Sequence, residues 1–539
     1  MIKKVLSILL CICFIFSLVG CAGNSGGSNN SNNSGNNSAN NGGANNSGAN
    51  DSGANNSGAN NSGANNSGAN NNSNTSSGSN IKVTPMTKDY TDPSIYTLDT
   101  LVSMGIEEAR PTNSDVDKKA NALLKEIENN PDTVKPAAGG RRIYVANNGA
   151  DVKGNGFSED KPFATIQYAN LVAKSGDVVL LKRGNFWRGK IVCVAGVSYG
   201  AYGKGNKPTV YGAILNAANQ EWTLDSKNIY KVPAGSGADI GLIVFDHGKA
   251  CGSKKFKKED LKKDYDFYSI GGLVYVYCSK GDPSKLYSDI ELCPTEHIVK
   301  LNANSTIQNW RIMYGGAHGI SITGSPSNVT VDGCIVGYIG GGKQGGTANP
   351  YTRYGNGIEV WGGCDGYTIK KCHVYQCYDA GITMQYSGDL DEKNILFEDN
   401  LLEYSVYNIE YFLNNGTGRM INVMIKDNIV RHGGYGWGYY SRSDKNKGCN
   451  ILGIGDNKTE NFVVQNNIFD HAKSYLIGMS AKDESHLPVF KGNTYLQYEN
   501  ARVCQRQNKN YGIDRYGDAA VTEGVGDVTG KLIKYPKKG

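Results

Sequence analysis

The sequence predicts an all-β solenoid of stacked parallel strands, and three observations carry that prediction. One phrase recurs, as "NVTVDGCIVGYIGG" from Asn328, "NILFEDNLLEYS" from Asn394, "NVMIKDNIVRHGG" from Asn422 and "NFVVQNNIFDHAK" from Asn461. Aligned on the Asn or Cys near its middle, the phrase extends to a ladder of Trp310, Cys334, Cys372, Asn400, Asn428, Asn467 and Asn493, with spacings of 24, 38, 28, 28, 39 and 26 residues. A unit of 24–28 residues broken by two long insertions is a solenoid period. Within each unit Val, Ile and Phe alternate with polar residues, the pattern of strands and not of helical repeats. Strands stacked in one register, about 4.8 Å apart, cover one another's apolar faces. An Asn at each bend can hydrogen-bond its stacked equivalents and tolerate a left-handed backbone.

The elements follow in chain order. Lys3 and Lys4 precede "VLSILLCICFIFSLVG", an apolar run too short and wrongly flanked to span a membrane but suited to export. It ends in Leu18-Val19-Gly20-Cys21, which resembles a bacterial lipobox. That resemblance implies that residues 1–21 are a lipoprotein signal, that Cys21 is lipidated, and that the chain sits on the bacterial cell surface outside the cytoplasm. Residues 22–80 repeat Ser-Gly-Ala-Asn-Asn with almost no charge and nothing apolar to bury, so they read as a disordered tether. Residues 81–140 read as an irregular lead-in with one helix over about 114–129. The solenoid is expected over 141–500, interrupted at about 215–295 by a strand-rich insertion where "GGLVYVYC" and "LYSDIELCP" break the period. Residues 501–539 read as a tail.

Composition narrows the partners. A net charge of +6 and a pI near 8.5, with basic residues scattered, argue against nucleic acid. Beyond Cys21 there are ten cysteines, which an exported chain permits to pair, but no C-x-x-C motif, so no metal site is expected. Cys334 and Cys372 are read as buried thiols. A monomer is expected, touching the membrane through its lipid alone.

The stretch "RRIYVANNGADVKGNGFSEDKPFATIQYANLVAKSGDVVLLKRG" and the following "YGAYGKGNKPTVYGA", together with the repeats, resemble the right-handed parallel β-helix proteins of the pectin-lyase-like superfamily. The resemblance covers about residues 141 to 500. It implies a right-handed helix whose open N-terminal end is capped by a strand and a short helix, here about Pro162 to Ala173.

Candidate site residues come from a second set of strands, "GISIT", "GIEVW", "GITMQ" and "NIEYF". Alternation points Ile320, Ile358, Ile382 and Ile409 inward, with Ile322, Val360, Met384 and Tyr411. Outward on one column stand Ser321, Glu359, Thr383 and Glu410, beside Thr323, Trp361, Gln385 and Phe412. The two long insertions flank this column and are rich in Gly, aromatics and cations, a composition suited to walling a sugar-binding cleft. Glu359 and Glu410 are two coils apart, about 9–10 Å along the stack, within reach of the acid–base spacing of inverting glycosidases, about 6.5–9.5 Å. Asp379 sits at the corner entering the intervening strand, so Glu359, Asp379 and Glu410 are the catalytic candidates. His318 and Asn356 occupy equivalent corners. With Trp361, Gln385, Phe412, Trp437 of the second insertion and Arg353 of the first, they are the substrate-binding candidates. Lys343 and Arg442 belong to the same loops. His373, His432 and His471, at other bends, read as structural.

The fold hosts several sugar chemistries, so the class stays open. Pectate-lyase relatives use calcium held by clustered aspartates with an Arg or Lys base; no such cluster stands on the outward strand. The polygalacturonase signature is also missing, apart from the fragment Gly316-Ala317-His318-Gly319. A polysaccharide-degrading glycoside hydrolase without cofactor is the first expectation. A polysaccharide lyase, which would take calcium, is the second, and a non-catalytic glycan-binding or adhesive surface protein the third.

Overall fold

The computed structural model describes residues 113–537 apart from 323, 348, 350, 415 and 443–446. The lipobox with Cys21, the tether and most of the lead-in lie outside the described residues.

Three ten-stranded sheets run the length of the molecule, with parallel neighbours almost throughout. The first runs from Arg142–Val145 through Ser327–Asp332 and Lys458–Gln465 to Val489–Lys491. The second runs from Phe186–Arg188 through His373–Cys377 and Ile429–Gly433 to Lys531–Tyr535. The third runs from Ile191–Val192 through Ile358–Trp361, Ala380–Ser387 and Tyr407–Asn414 to Arg502–Arg506, closed by the antiparallel Lys509–Gly512. Between the two ends each coil contributes one strand to each sheet, which is a parallel β-helix. The inward side chains stack as alternation requires: Ile320, Ile358, Ile382, Ile409, Ile451 and Ile477 form one continuous buried column.

The Asn ladder is built at the bend between the first and second sheets. The amide nitrogens of Asn400, Asn428 and Asn467 each donate to the side-chain oxygen of the next Asn, at 2.9, 2.9 and 3.0 Å, and Asn493 donates to Asp527 at 2.9 Å. The left-handed turn falls one residue earlier than expected, on Asp399, Asp427 and Asn466, with φ between 53° and 56°. The ladder Asn thereby points inward and spans the bend. A second, exposed ladder joins the Asn residues that open the phrases: Asn461 donates to Asn422 and Asn422 to Asn394, all with positive φ. Replacing Asn428 by Leu removes the acceptor for the Asn400 N–H and the donor to the Phe397 and Lys426 carbonyls. A loss of about 1–3 kcal/mol is expected, the cost of unpaired buried groups, read as a lower midpoint in urea.

The ends are capped. A helix over Ile166–Val172, with Thr165 accepting from the Tyr168 N–H, covers the first coil. The lead-in helix spans Ser114–Glu128 and lies along the outer face of the second sheet. Its Asp117 pairs with Arg431 and its Glu128 with Arg311, several coils away. Residues 501–537, expected as a tail, belong to the fold. They supply strands to two sheets, and Ala520 and Val521 enter the core, because the last coil would otherwise expose Tyr495 and Val503. Residues 217–294 form a three-stranded and a five-stranded sheet around their own core, including Trp222, Val232, Phe245 and Phe267. The ten cysteines of the described residues are buried and free. Within Gln344–Thr352 the Gln344 N–H donates to the Thr352 carbonyl at 2.9 Å.

Candidate active site

The outward column of the third sheet has the register expected of it. Glu359 pairs with Thr383 and Thr383 with Glu410; beside them Trp361 pairs with Gln385 and Gln385 with Phe412. The column is not open to water as an outward sheet face would be: Ser321, Thr383, Gln385 and Glu410 are buried and Glu359 is 9% exposed. Side chains from the corners and the second insertion cover it. The Thr383 hydroxyl, between the two glutamates, has no hydrogen-bond partner among the described residues.

One half of the site is centred on Glu359. Its Oε1 lies 3.0 Å from His318 Nε2. His318 Nδ1 accepts the Asn356 N–H at 3.0 Å, so the imidazole carries its proton on Nε2 and donates it to Glu359. Asn356 is fixed in turn, its side-chain oxygen accepting the Ala380 N–H at 3.1 Å. His297 meets His318 edge to face at 4.6 Å and reaches the Ser321 hydroxyl at 2.6 Å. The Tyr354 ring closes the other side of His318 at 5.1 Å, its phenol pushed up to about 12 by burial and by the nearby Glu359.

The other half is centred on Glu410. Burial, and then the negative charge of Asp379, push its carboxyl up to about 8, against the opposing pull of Arg442, Lys447 and the Gln385 hydrogen bond. The Gln385 amide donates to Oε2, leaving Oε1 to hold the proton. Asp379 is paired with Arg442 at 2.6 Å, and its carbonyl accepts the Val406 N–H at 3.0 Å. The Arg442 guanidinium rests on the rings of Tyr378 and Tyr407. Arg442 thus brings the second insertion over the column.

A family model for the right handed beta helix region matches residues 287–451. The chain is a right-handed parallel β-helix. No curated protein matches it. Among solved structures it is similar to the GH136 lacto-N-biosidase from Eubacterium ramulus, at 12% identity over 74% of this chain and 67% of that one, with a TM-score of 0.37. It is similar also to a pectate lyase, at 13% identity over 71% and 80% of the two chains, with a TM-score of 0.35. Likenesses at this level concern the fold alone.

The remaining candidates divide by surroundings. Trp361 is the open aromatic, 38% exposed, with its ring 6.0 Å from Tyr386 and 6.4 Å from Phe412 in edge contacts. Trp437, expected as a loop platform, is instead in the core: it packs on Tyr378, and its indole N–H donates to the Gln376 carbonyl at 2.7 Å. Arg353, expected as a loop cation, is buried as well. It donates to the carbonyls of Gly341, Ser441 and Gly241, because the antiparallel ribbon Gly342–Lys343 with Arg353–Tyr354 folds it inward. Tyr386 and Tyr354 were not identifiable in advance. Tyr386 has inward parity near the end of its strand, and Tyr354 lies in an insertion without period. Among the described residues no group of three or more His, Cys, Asp or Glu side chains is placed to hold a metal ion.

Proposed function

We propose that this chain is a cell-surface glycoside hydrolase that cleaves a polysaccharide in the groove of the third sheet. The observation that carries the reading is Glu410, a carboxyl kept protonated at neutral pH by burial and by Asp379, two coils from a second carboxyl, Glu359, held by a neutral imidazole. Two carboxyls whose surroundings differ in this way supply an acid and a base. Glu410 gives its proton to the departing glycosidic oxygen as the bond from the anomeric carbon breaks. Glu359 takes a proton from the water whose oxygen bonds to that carbon, and the two-coil separation suits this single displacement with inversion. The recessed setting strengthens both interactions by excluding bulk water. Trp361, Tyr386 and Phe412 supply an apolar surface for a sugar face beside the column.

A glycan panel scored for new reducing ends and for unsaturated-uronate absorbance tests the reading. Reducing ends alone support it; the absorbance signal replaces it by a lyase. The exposed aromatic group also suits a glycan-binding protein without catalysis, and binding with neither signal would select that. In either case Trp361→Ala is expected to weaken glycan binding by about 1–3 kcal/mol, the loss of a large apolar contact, measured by affinity electrophoresis. The surface location rests on the lipobox-like Leu18-Val19-Gly20-Cys21. Cys21→Ala is expected to abolish incorporation of labelled fatty acid and to move the protein out of the membrane fraction, since the Asn/Ser/Gly tether has no membrane affinity of its own. Undiminished labelling of this variant would refute the anchor.

A further inference from the structure

Cations stand at the centre and at the upstream end of the outward column of the third sheet. Arg442 is tied to Asp379, and Arg353 donates to three main-chain carbonyls; Lys447 is exposed at the loop edge, where its charge bears on Glu410. Upstream, Lys300 stands on the same outward column, paired with Ser321 one coil before Glu359 and so two coils from that carboxylate. The adjacent strand brings Lys190 alongside, since Ile191 pairs with Val299 and Val192 with Lys300. Both ammonium charges bear on His297, and burial together with these neighbours keeps that imidazole neutral. Neither Lys190 nor Lys300 has a side-chain hydrogen bond or ion pair among the described residues. The upstream end therefore holds two uncompensated positive charges, while the cleavage centre holds the Glu359 carboxylate.

Resting on the glycoside reading above, we propose that Lys190 and Lys300 form a carboxylate-recognising subsite, so that the substrate is a mixed glycan with a neutral sugar at the cleaved bond and a uronate about two sugars away. The spacing follows from the fold. A glycan laid along the helix axis advances close to one pyranose per coil, and two coils separate Lys300 from Glu359. A uronate at the cut itself would meet the Glu359 carboxylate, which like-charge repulsion disfavours.

The test uses the full chain and three polymers: glucuronoxylan, a glucuronate-bearing arabinogalactan, and an alternating galacturonate–rhamnose polymer. Each is supplied native and after reduction of its carboxyls to primary alcohols. The quantity read is the preference for the native over the reduced form, as retardation in affinity gels and, where cleavage occurs, as kcat/KM. For at least one polymer a preference of roughly tenfold is expected at low salt, the scale of two part-exposed ion contacts. It should shrink as salt is raised and fall to near one in Lys190→Gln/Lys300→Gln, while Lys118→Gln, on the distant lead-in helix, keeps it. Equal treatment of native and reduced forms of all three polymers, or a preference that survives the double substitution, overturns the subsite. The hydrolase reading fails separately: unsaturated-uronate absorbance, or binding without new reducing ends, would sink it, while a lysine-dependent preference in the gels would still establish the subsite.

Discussion

Glu410→Gln is expected to lower turnover by about 10²-fold or more, the scale of general acid catalysis, and to abolish the alkaline limb of the pH profile. In the parent, activity should fall as pH rises through about 8, where Glu410 loses its proton. The glutamine has no proton to lose there, so its residual activity should not follow that limb. Stability gives an independent reading of the same group. A carboxyl whose pKa is raised on folding binds more protons in the native than in the unfolded state between the two pKa values. Native stability therefore falls as pH climbs from the ordinary carboxyl range to about 8, and levels off above it. Glutamine removes that slope, so the variant should gain on the parent in thermal midpoint at pH 9 relative to pH 5, even as it loses activity. A variant that kept full turnover on a polymer the parent cleaves would remove Glu410 from the chemistry. A pH-independent difference in midpoint would show that its carboxyl is not held protonated.

The sequence made the solenoid legible because the same physical constraint acts on every coil. A residue inside the stack faces its own equivalents above and below, so the Ile320 to Ile477 column and the Asn400 to Asn493 ladder had to repeat, and repetition is visible without coordinates. The register of Glu359, Thr383 and Glu410 followed from that repetition. What covers the column did not. Arg442 pairs with Asp379 across 63 positions of chain, from an insertion with no period to align, and Trp437 and Arg353 are buried by loop folds that composition does not encode. The terminal coil over residues 501–537 has no repeat to show it for the same reason: closing a solenoid takes a coil that departs from the repeat.

Arg431→Met is expected to cost about 3–5 kcal/mol, the penalty for leaving a buried charge without its partner. Arg431 is buried on the outer face of the second sheet, donating to Glu403 at 2.6 Å and to Asp117 of the lead-in helix at 2.8 Å. Glu403 is fully buried and is met also by His373 at 3.0 Å. One coil on, Asp470 lies in register with Arg431, and burial pushes its carboxyl up to about 7 against the pull of that guanidinium. Methionine fills much of the same volume but neutralises neither Glu403 nor Asp117. Asp117, at the partly exposed start of the helix, can turn to water; Glu403 cannot. The damage should therefore be traceable to Glu403, and Arg431→Met/Glu403→Leu should recover most of the stability lost, since a well-packed apolar pair replaces a buried ion pair at little net cost. Hydrogen exchange separates the two consequences. If the ion pair also fastens the helix, amides of Ser114–Glu128 should exchange faster in both variants, while those of the second sheet should be protected again in the double variant. A double variant no more stable than Arg431→Met would show that the guanidinium acts through its packing and its hold on Asp117, and not by compensating Glu403.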